Sequence, residues 1–128
     1  MSHKNALRFA SALVSGFVVS TLAQQPAQPP PITMKQLKPD VWAALAGAGG
    51  NSTIIVGKTG VIVVDAKQTE AGAKDLLAQI AKITPKPVTT VILTHSDGDH
   101  VNGLVAYPTG IKIIASLASS HGIRFGTI

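Results

Sequence analysis

Cysteine is missing from this sequence and aromatic residues are scarce. The 128-residue chain has no cysteine, so disulfide bonds, thiolate metal sites and a cysteine nucleophile are all excluded. Aromatic residues make up only 4% of the chain and hydrophobic residues 45%, which predicts a core built from aliphatic side chains. Any metal site must therefore use histidine and carboxylate ligands.

Acidic residues are also few, and the balance of charge is mildly basic. The chain has 11 lysines and arginines against 6 acidic residues, which gives a formal net charge of +5. The lysines are well separated, and no basic cluster with interleaved aromatic residues occurs, which argues against nucleic-acid binding. We interpret the positive charge as that of an ordinary solvated surface.

The N-terminal residues have the pattern of a secretion signal. Residues 1–8 are basic without an acid, residues 9–22 are uncharged, and small residues precede a cleavage position after Ala23. The uncharged run would rise only ~21 Å as a helix, short of the ~30 Å hydrocarbon core of a bilayer, so a permanent transmembrane helix is the weaker alternative. We therefore expect residues 1–23 to be a signal peptide, with export to a bacterial periplasm or the extracellular space and no membrane attachment after cleavage.

A proline-rich segment follows the predicted cleavage position. Residues 24–36 contain four prolines, which favour an extended polyproline conformation and oppose helix. We interpret this segment as a linker. The folded part is then predicted to span residues 37–128.

The rest of the chain predicts strands alternating with a helix. Two short β-branched runs at residues 52–57 and 60–65 indicate a hairpin, and their continuous apolar character predicts strands that are covered on both faces. Apolar residues at helical spacing between 69 and 84 predict a helix that a proline ends. Further strands are predicted at 87–94 and 111–116.

The highest density of candidate metal-binding side chains follows the strand predicted at residues 87–94. The stretch THSDGDH, residues 94–100, holds two of the chain's four histidines and two of its six acidic residues. Residues i and i+2 of an extended backbone project to the same side, so His95 and Asp97 can face one ion together. A glycine then permits a sharp turn, after which Asp99 and His100 can face a second ion, or the far side of the first. Imidazole and carboxylate are ordinary ligands of Zn²⁺, Mn²⁺ and Fe²⁺. An acidic turn with incidental histidines is the alternative.

Two stretches carry a family resemblance. One is the hairpin GGNSTIIVGKTGVIVVDAK with Asp65 at its end, and the other is VILTHSDGDHVNGL, which matches the pattern T-H-x-H-x-D-H-x-x-G. Residues 40–116 thereby resemble the N-terminal half of the metallo-β-lactamase superfamily of hydrolases. The resemblance implies an α/β fold, namely the N-terminal half of a four-layer αββα sandwich with a mixed β-sheet and helices on one face. It also implies a metal-dependent hydrolase whose activated water attacks an ester, lactam, thioester or phosphoester of a small-molecule substrate.

The resemblance assigns roles to individual residues. His95 would bind a first metal ion and Asp99 and His100 a second, while Asp99 would also orient the attacking water as the catalytic carboxylate. Asp65 would orient the metal loop without binding metal. The family's middle histidine is Asp97 here, and as a ligand it would add negative charge and favour harder ions. The expected cofactor is Zn²⁺, two ions in the complete enzyme, with Mn²⁺ or Fe²⁺ as alternatives.

The resemblance covers only the first half of the family domain, so the ligands that the second half supplies are missing. His121 lies beyond the motif, and we interpret it as a surface histidine. One half alone would leave an aliphatic sheet face uncovered, which favours aggregation, pairing with another copy or docking of the missing half. We expect the chain to be a fragment that is inactive alone. A non-catalytic or degenerate metal-binding module is the alternative function.

Overall fold

Six strands form one mixed sheet whose spatial order follows the chain. The computed structural model describes residues 27–118, so the predicted signal peptide and His121 lie outside the described residues. The strands are β1 (Thr33–Lys38), β2 (Val41–Leu45), β3 (Ser52–Val56), β4 (Val61–Val64), β5 (Val88–Leu93) and β6 (Lys112–Ala115). The helices are α1 (Glu70–Ile83) and the single turn α2 (Gly98–Val101), which is followed by a 3₁₀ turn at Asn102–Ala106.

The pairing of the strands decides which loops meet. The pairs from β1 to β4 are antiparallel, whereas β4 with β5 and β5 with β6 are parallel. Parallel neighbours require a crossover, which α1 supplies between β4 and β5. The carboxyl ends of β4 and β5 therefore lie side by side at one edge of the sheet.

The crossover helix α1 has a capping residue at its N-terminus and buries one apolar stripe. The Thr69 hydroxyl caps it by accepting a hydrogen bond from the Gly72 N–H at 3.0 Å. Ala73, Leu76 and Ile80, spaced three and four residues apart, are buried. This stripe packs in one core cluster with one face of the sheet.

The two faces of the sheet differ in burial. Ile54, Val63 and Val91 are cross-strand neighbours and are completely buried on the face that α1 covers. The adjacent residues of these strands point to the opposite face, where the described side chains are only half-buried or exposed. This uncovered face contains Val41, Ala43, Ile55, Ile62, Val64, Ile92 and Ile114. The fold is therefore the predicted partial α/β domain with its helices on one face.

Two expectations from the sequence need correction. The apolar runs of the central hairpin predicted strands covered on both faces, but burial alternates along β3 and β4 because the described helices pack on one side only. The first two strands were not predicted, and β1 begins inside the segment 24–36 that we assigned to the linker. Its Lys- and Gln-containing sequence lacks a strand pattern of its own, and pairing with β2 holds it in the sheet.

Among residues 27–118, no helix is long and apolar enough to span a membrane.

Candidate metal centre

The candidate site lies at the edge of the sheet where β4 and β5 end. Asp65 follows β4 directly and Thr94 follows β5, so the parallel pairing of these strands brings the two residues together. The helical turn α2 begins at Gly98, inside the motif, and carries Asp99 and His100. The motif loop therefore leaves the carboxyl edge of the sheet, as the sequence predicted.

Asp65 is a buried carboxylate on an unusual backbone. Its side chain is only 8% exposed, and its φ of +65° lies in the left-handed region that residues other than glycine rarely adopt. The carboxylate accepts hydrogen bonds from the Thr94 backbone N–H at 2.9 Å, the Thr94 hydroxyl at 2.8 Å and His100 Nδ1 at 2.8 Å. One side chain thus ties the end of β4 to both ends of the motif.

These hydrogen bonds determine which nitrogen of each imidazole carries the proton. A carboxylate only accepts, so His100 Nδ1 and the Thr94 hydroxyl both donate to Asp65. Thr94 Oγ1 can then only accept from His95 Nδ1, which lies 2.8 Å away and must carry its own proton. In the neutral form of each imidazole, the lone pair is therefore on Nε2, which is the arrangement that binds a metal ion.

Two carboxylates lie beside the Nε2 atoms of the two imidazoles. Asp97 Oδ2 lies 3.7 Å from His95 Nε2, and Asp99 Oδ2 lies 3.2 Å from His100 Nε2. The centroids of the two imidazole rings are 4.0 Å apart. The structure therefore brings these four side chains close together, with His95 beside Asp97 and His100 beside Asp99.

The spacing of these donors fits a divalent cation. One ligand atom each from His95, Asp97 and Asp99 lie within 4.8 Å of one another, and the same holds for Asp65, His95 and His100. A tetrahedral Zn²⁺ ion with bonds of about 2.0–2.1 Å holds its ligand atoms roughly 3.3 Å apart, so only small side-chain movements separate these groups from that geometry. Asp65 already accepts three hydrogen bonds, which favours an orienting role over a ligand role. The side chains of Asp97 and Asp99 are 75% and 47% exposed, so the donors are open to solvent.

A glycine-rich loop, residues 46–50, lies against the other side of the site, and we name it the glycine arch. The Gly50 N–H donates to the Asp99 carbonyl at 3.0 Å. A Cβ on Gly50 would overlap Cε1 of His100 and lie 2.5 Å from its Nε2, so only glycine allows this approach. The arch therefore limits where the His100 imidazole can sit.

Two residues of the site were not assigned a role from the sequence. Thr94 is part of the motif, but its link between Asp65 and His95 depends on a contact across the sheet edge. Lys67 is completely buried, and its ammonium donates to the carbonyls of Ala46 at 2.8 Å and Gly50 at 2.9 Å. Burial lowers the pKa of Lys67 from its ordinary value, and the charge of a nearby aspartate opposes this shift. A single lysine after a strand carries no signal that would identify it.

The fold and the donor set together define a class: a partial α/β domain with a candidate histidine–carboxylate metal centre at the carboxyl edge of its sheet. Residues 45–115 match the model of the metallo-beta-lactamase superfamily, which is more than half of the chain. The chain therefore belongs to the metallo-β-lactamase superfamily, which confirms the resemblance.

Two curated relatives match short parts of the chain. The linear primary-alkylsulfatase of Pseudomonas sp. is 35% identical over 48 residues, which are 38% of this chain and 9% of that protein. An alkyl/aryl-sulfatase of Saccharomyces cerevisiae is 44% identical over 55 residues, which are 42% of this chain and 8% of that protein. The matched part is thus less than a tenth of either relative.

Solved structures of metallo-β-lactamases share the fold. The FIM-1 enzyme of Pseudomonas aeruginosa, solved in a mono-zinc form, superposes with a TM-score of 0.64 at 20% identity, over 75% of this chain and 46% of that one. A metallo-β-lactamase of Hirschia baltica gives a TM-score of 0.62 at 21% identity, over 72% of this chain and 46% of that one. The chain spans less than half of these proteins, and identities this low establish the fold alone.

Proposed function

We propose that this protein is, or is part of, a metal-dependent hydrolase. The observation that carries the proposal is the series of hydrogen bonds from Asp65, which turns the Nε2 atoms of both imidazoles toward two carboxylates at the edge of the sheet. A metal centre needs oriented ligands, and the hydrogen bonds at both Nδ1 atoms orient the two imidazoles in advance. An incidental acidic turn has no need of such an arrangement.

The motif residues fall into two sets for holding metal ions. His95 with Asp97 would hold one ion and Asp99 with His100 a second, with Zn²⁺ as the expected ion and Mn²⁺ or Fe²⁺ as alternatives. Bound there, the metal would supply Lewis-acid polarisation of the scissile group and a water nucleophile at neutral pH. The half-exposed Asp99 carboxylate lies where it can orient a water and accept its proton. Asp97 adds a negative charge, which favours harder ions at the first position.

The substrate is proposed only as a class. An ester, lactam, thioester or phosphoester of a small molecule is consistent with metal-activated water. The two curated relatives are named as sulfatases of alkyl or aryl compounds, and this adds sulfate esters to the candidates. The open site, with Asp97 mostly exposed, leaves room for a substrate to approach the donors.

The place of action is a further part of the proposal. The basic, then uncharged, then small-residue order of residues 1–23 supports export to a periplasm or the extracellular space. We propose that the protein acts there on a small molecule, without nucleic acid and without a membrane anchor. Expression with an epitope tag, followed by fractionation and N-terminal sequencing, tests this, and a mature start at Gln24 is expected.

A non-catalytic metal-binding module is the second candidate. It is favoured by the openness of the donors, because every candidate ligand comes from one edge of one sheet and Asp97 and Asp99 face solvent. A hydrolytic site normally excludes part of the bulk water and needs further groups around the substrate. Metal binding without turnover would identify this function.

Metal content and turnover of the purified protein test both candidates. We expect at least one Zn²⁺ per chain after dialysis. Because the chain alone is expected to be inactive, we expect hydrolysis of a chromogenic ester, lactam, lactone, thioester, phosphoester or sulfate ester from the complete enzyme of which it would be a part. His100→Ala and Asp99→Ala should abolish metal uptake, whereas the matched control His121→Ala should retain it. Stoichiometric metal without hydrolysis by the complete enzyme favours the non-catalytic module. Less than one ion per two chains, or normal metal content in the first two variants, refutes the metal assignment.

A further inference from the structure

A fully buried lysine adjoins the candidate metal centre. Lys67 comes two residues after Asp65 and has no exposed surface. Its φ of +74° lies in the left-handed region, so the backbone here is held in a disfavoured conformation. Burying an ammonium group is costly unless hydrogen bonds compensate for lost water, so the contacts of Lys67 must offset that cost.

The contacts of Lys67 join the two ends of the glycine arch. Its ammonium donates to the carbonyl of Ala46, the first residue of the arch, and to that of Gly50, the last. Its backbone is also fixed, because the Lys67 carbonyl accepts from the Gly103 N–H at 2.9 Å. An apolar side chain of similar size could fill the same space but could not draw the two carbonyls together.

The glycine arch contacts His100 at Nε2, the nitrogen that the proposed function assigns to a metal ion. The Gly50 backbone donates to the carbonyl of Asp99 and lies against the Cε1–Nε2 edge of His100. The other edge of that ring is held by Asp65 through Nδ1. The His100 imidazole therefore lies between the Asp65 carboxylate and the Gly50 backbone, and Lys67 fixes the position of the Gly50 backbone.

We propose that Lys67 is a positioning residue for the metal centre: its ammonium ties Ala46 to Gly50 and so keeps the Gly50 backbone against the Nε2 edge of His100. The inference rests on the proposed function, because it assigns His100 Nε2 to a metal ion. Lys67 acts through the arch and needs no contact with substrate or metal.

Cobalt binding by a Lys67→Met variant tests the proposal. Methionine retains most of the volume but donates no hydrogen bond, so we expect Co²⁺ to bind about 10-fold more weakly, the range typical of losing a group that orients a metal ligand. The visible absorption bands of the bound Co²⁺ should shift, because His100 is displaced. Lys74→Met is the matched control, since Lys74 is an exposed lysine in an ion pair with Glu70 and its loss should change neither quantity. A lowered melting temperature with unchanged Co²⁺ affinity and spectrum would show a purely structural role and overturn the proposal.

A second variant keeps the proposal testable if Lys67→Met does not fold. Gly50→Ala places a methyl group at the contact with His100 while Lys67 stays intact. It should weaken Co²⁺ binding and shift the same absorption bands, and an unchanged affinity and spectrum would overturn the proposal. Where both single variants fold, the double variant should bind Co²⁺ only slightly more weakly than the single variant with the lower affinity. This is expected because both substitutions act on the same contact between Gly50 and His100. If the losses of Co²⁺-binding free energy in the two single variants add up fully in the double variant, the two residues do not act through the same contact.

Imidazole NMR of the metal-free protein separates this inference from the proposed function. If the wild-type protein binds no metal ion, the proposed function fails, but the position of His100 can still be observed. Its ¹⁵N shifts should change in Lys67→Met and stay unchanged in Lys74→Met. Unchanged His100 shifts in Lys67→Met would overturn the positioning role whatever the metal result.

Discussion

Replacing Asp65 with asparagine should separate the folding role of this residue from its role in orienting the histidines. The substitution keeps the shape of the side chain and an acceptor oxygen for the Thr94 N–H. It places an NH₂ group against His100 Nδ1, where the carboxylate now accepts a hydrogen bond. His100 must then accept at Nδ1 and carry its proton on Nε2, the nitrogen that faces Asp99.

The magnitudes follow from the contacts that each variant keeps. Asp65→Asn retains the number of hydrogen bonds but changes charge-assisted bonds into neutral ones, about half as strong, so we expect a loss of ~1–2 kcal/mol in the free energy of unfolding. Asp65→Ala removes both carboxylate oxygens and leaves two donors, the Thr94 N–H and the His100 Nδ1–H, without an acceptor. At ~1–3 kcal/mol for each unpaired donor, the loss in the free energy of unfolding should be ~2–6 kcal/mol. Metal affinity should fall at least 10–100-fold in both variants, because the Nε2 lone pair is blocked or no longer oriented.

Urea unfolding of the metal-free protein, imidazole ¹⁵N NMR and a Zn²⁺ titration provide the three measurements. We expect the asparagine variant to lose only ~1–2 kcal/mol in the free energy of unfolding, to show the His100 proton on Nε2 and to bind Zn²⁺ weakly. The reasoning is refuted if this variant binds Zn²⁺ normally, or if it loses as much stability as Asp65→Ala. Normal Zn²⁺ binding would mean that the hydrogen bond to residue 65 does not set the proton position of His100. The larger stability loss would mean that asparagine does not keep the hydrogen bonds of Asp65.

Three further predictions concern the scaffold. Burial raises the pKa of Tyr107, so the unfolded state ionises first and stability should fall as the pH rises above about 10. Tyr107→Phe should remove this contribution to the decrease of the free energy of unfolding above pH ~10. At pH 7 the same substitution should not lower the free energy of unfolding, because the buried hydroxyl has no hydrogen-bond partner. Ile62→Lys on the uncovered face should shift the protein from oligomer to monomer in analytical ultracentrifugation, whereas Val63→Lys on the buried face should prevent folding. Gly103→Ala should lower the free energy of unfolding by ~2 kcal/mol or more in urea titrations, because its Cβ would overlap the Ala66 carbonyl oxygen.

The elements that surround the site could be predicted because their signals are local. The hairpin at 52–65 is β-branched with a short turn, and the helix α1 has its cap and apolar stripe within one stretch of sequence. The motif was predicted for the same reason, since strand alternation alone pairs His95 with Asp97. These features depend on neighbours in the chain, and so their structure follows from their residues.

The contacts that organise the site could not be predicted because they join distant parts of the chain. Thr94 and Asp65 are brought together by parallel pairing across a crossover, and Lys67 reaches residues 46–50 on the other side of the hairpin. The two missed strands have the same cause, because β1 is held by β2 rather than by a pattern of its own. The sequence predicts which side chains carry the chemistry, and the tertiary pairing decides how they are oriented.

Backbone strain in this fold is concentrated around the candidate site. Ala46, Asp65 and Lys67 are the non-glycine residues of the described range with positive φ, at 64°, 65° and 74°. Each such residue costs of order 1–3 kcal/mol and persists only where other contacts fix it. Glycine at 65 or 67 would relieve the strain, but it would remove the carboxylate that orients two imidazoles or the ammonium that closes the arch. Asp65 and Lys67 therefore carry side chains that the proposed metal centre would need at those points, and this pattern is expected where the geometry of a site, rather than the stability of the fold, determines the residue.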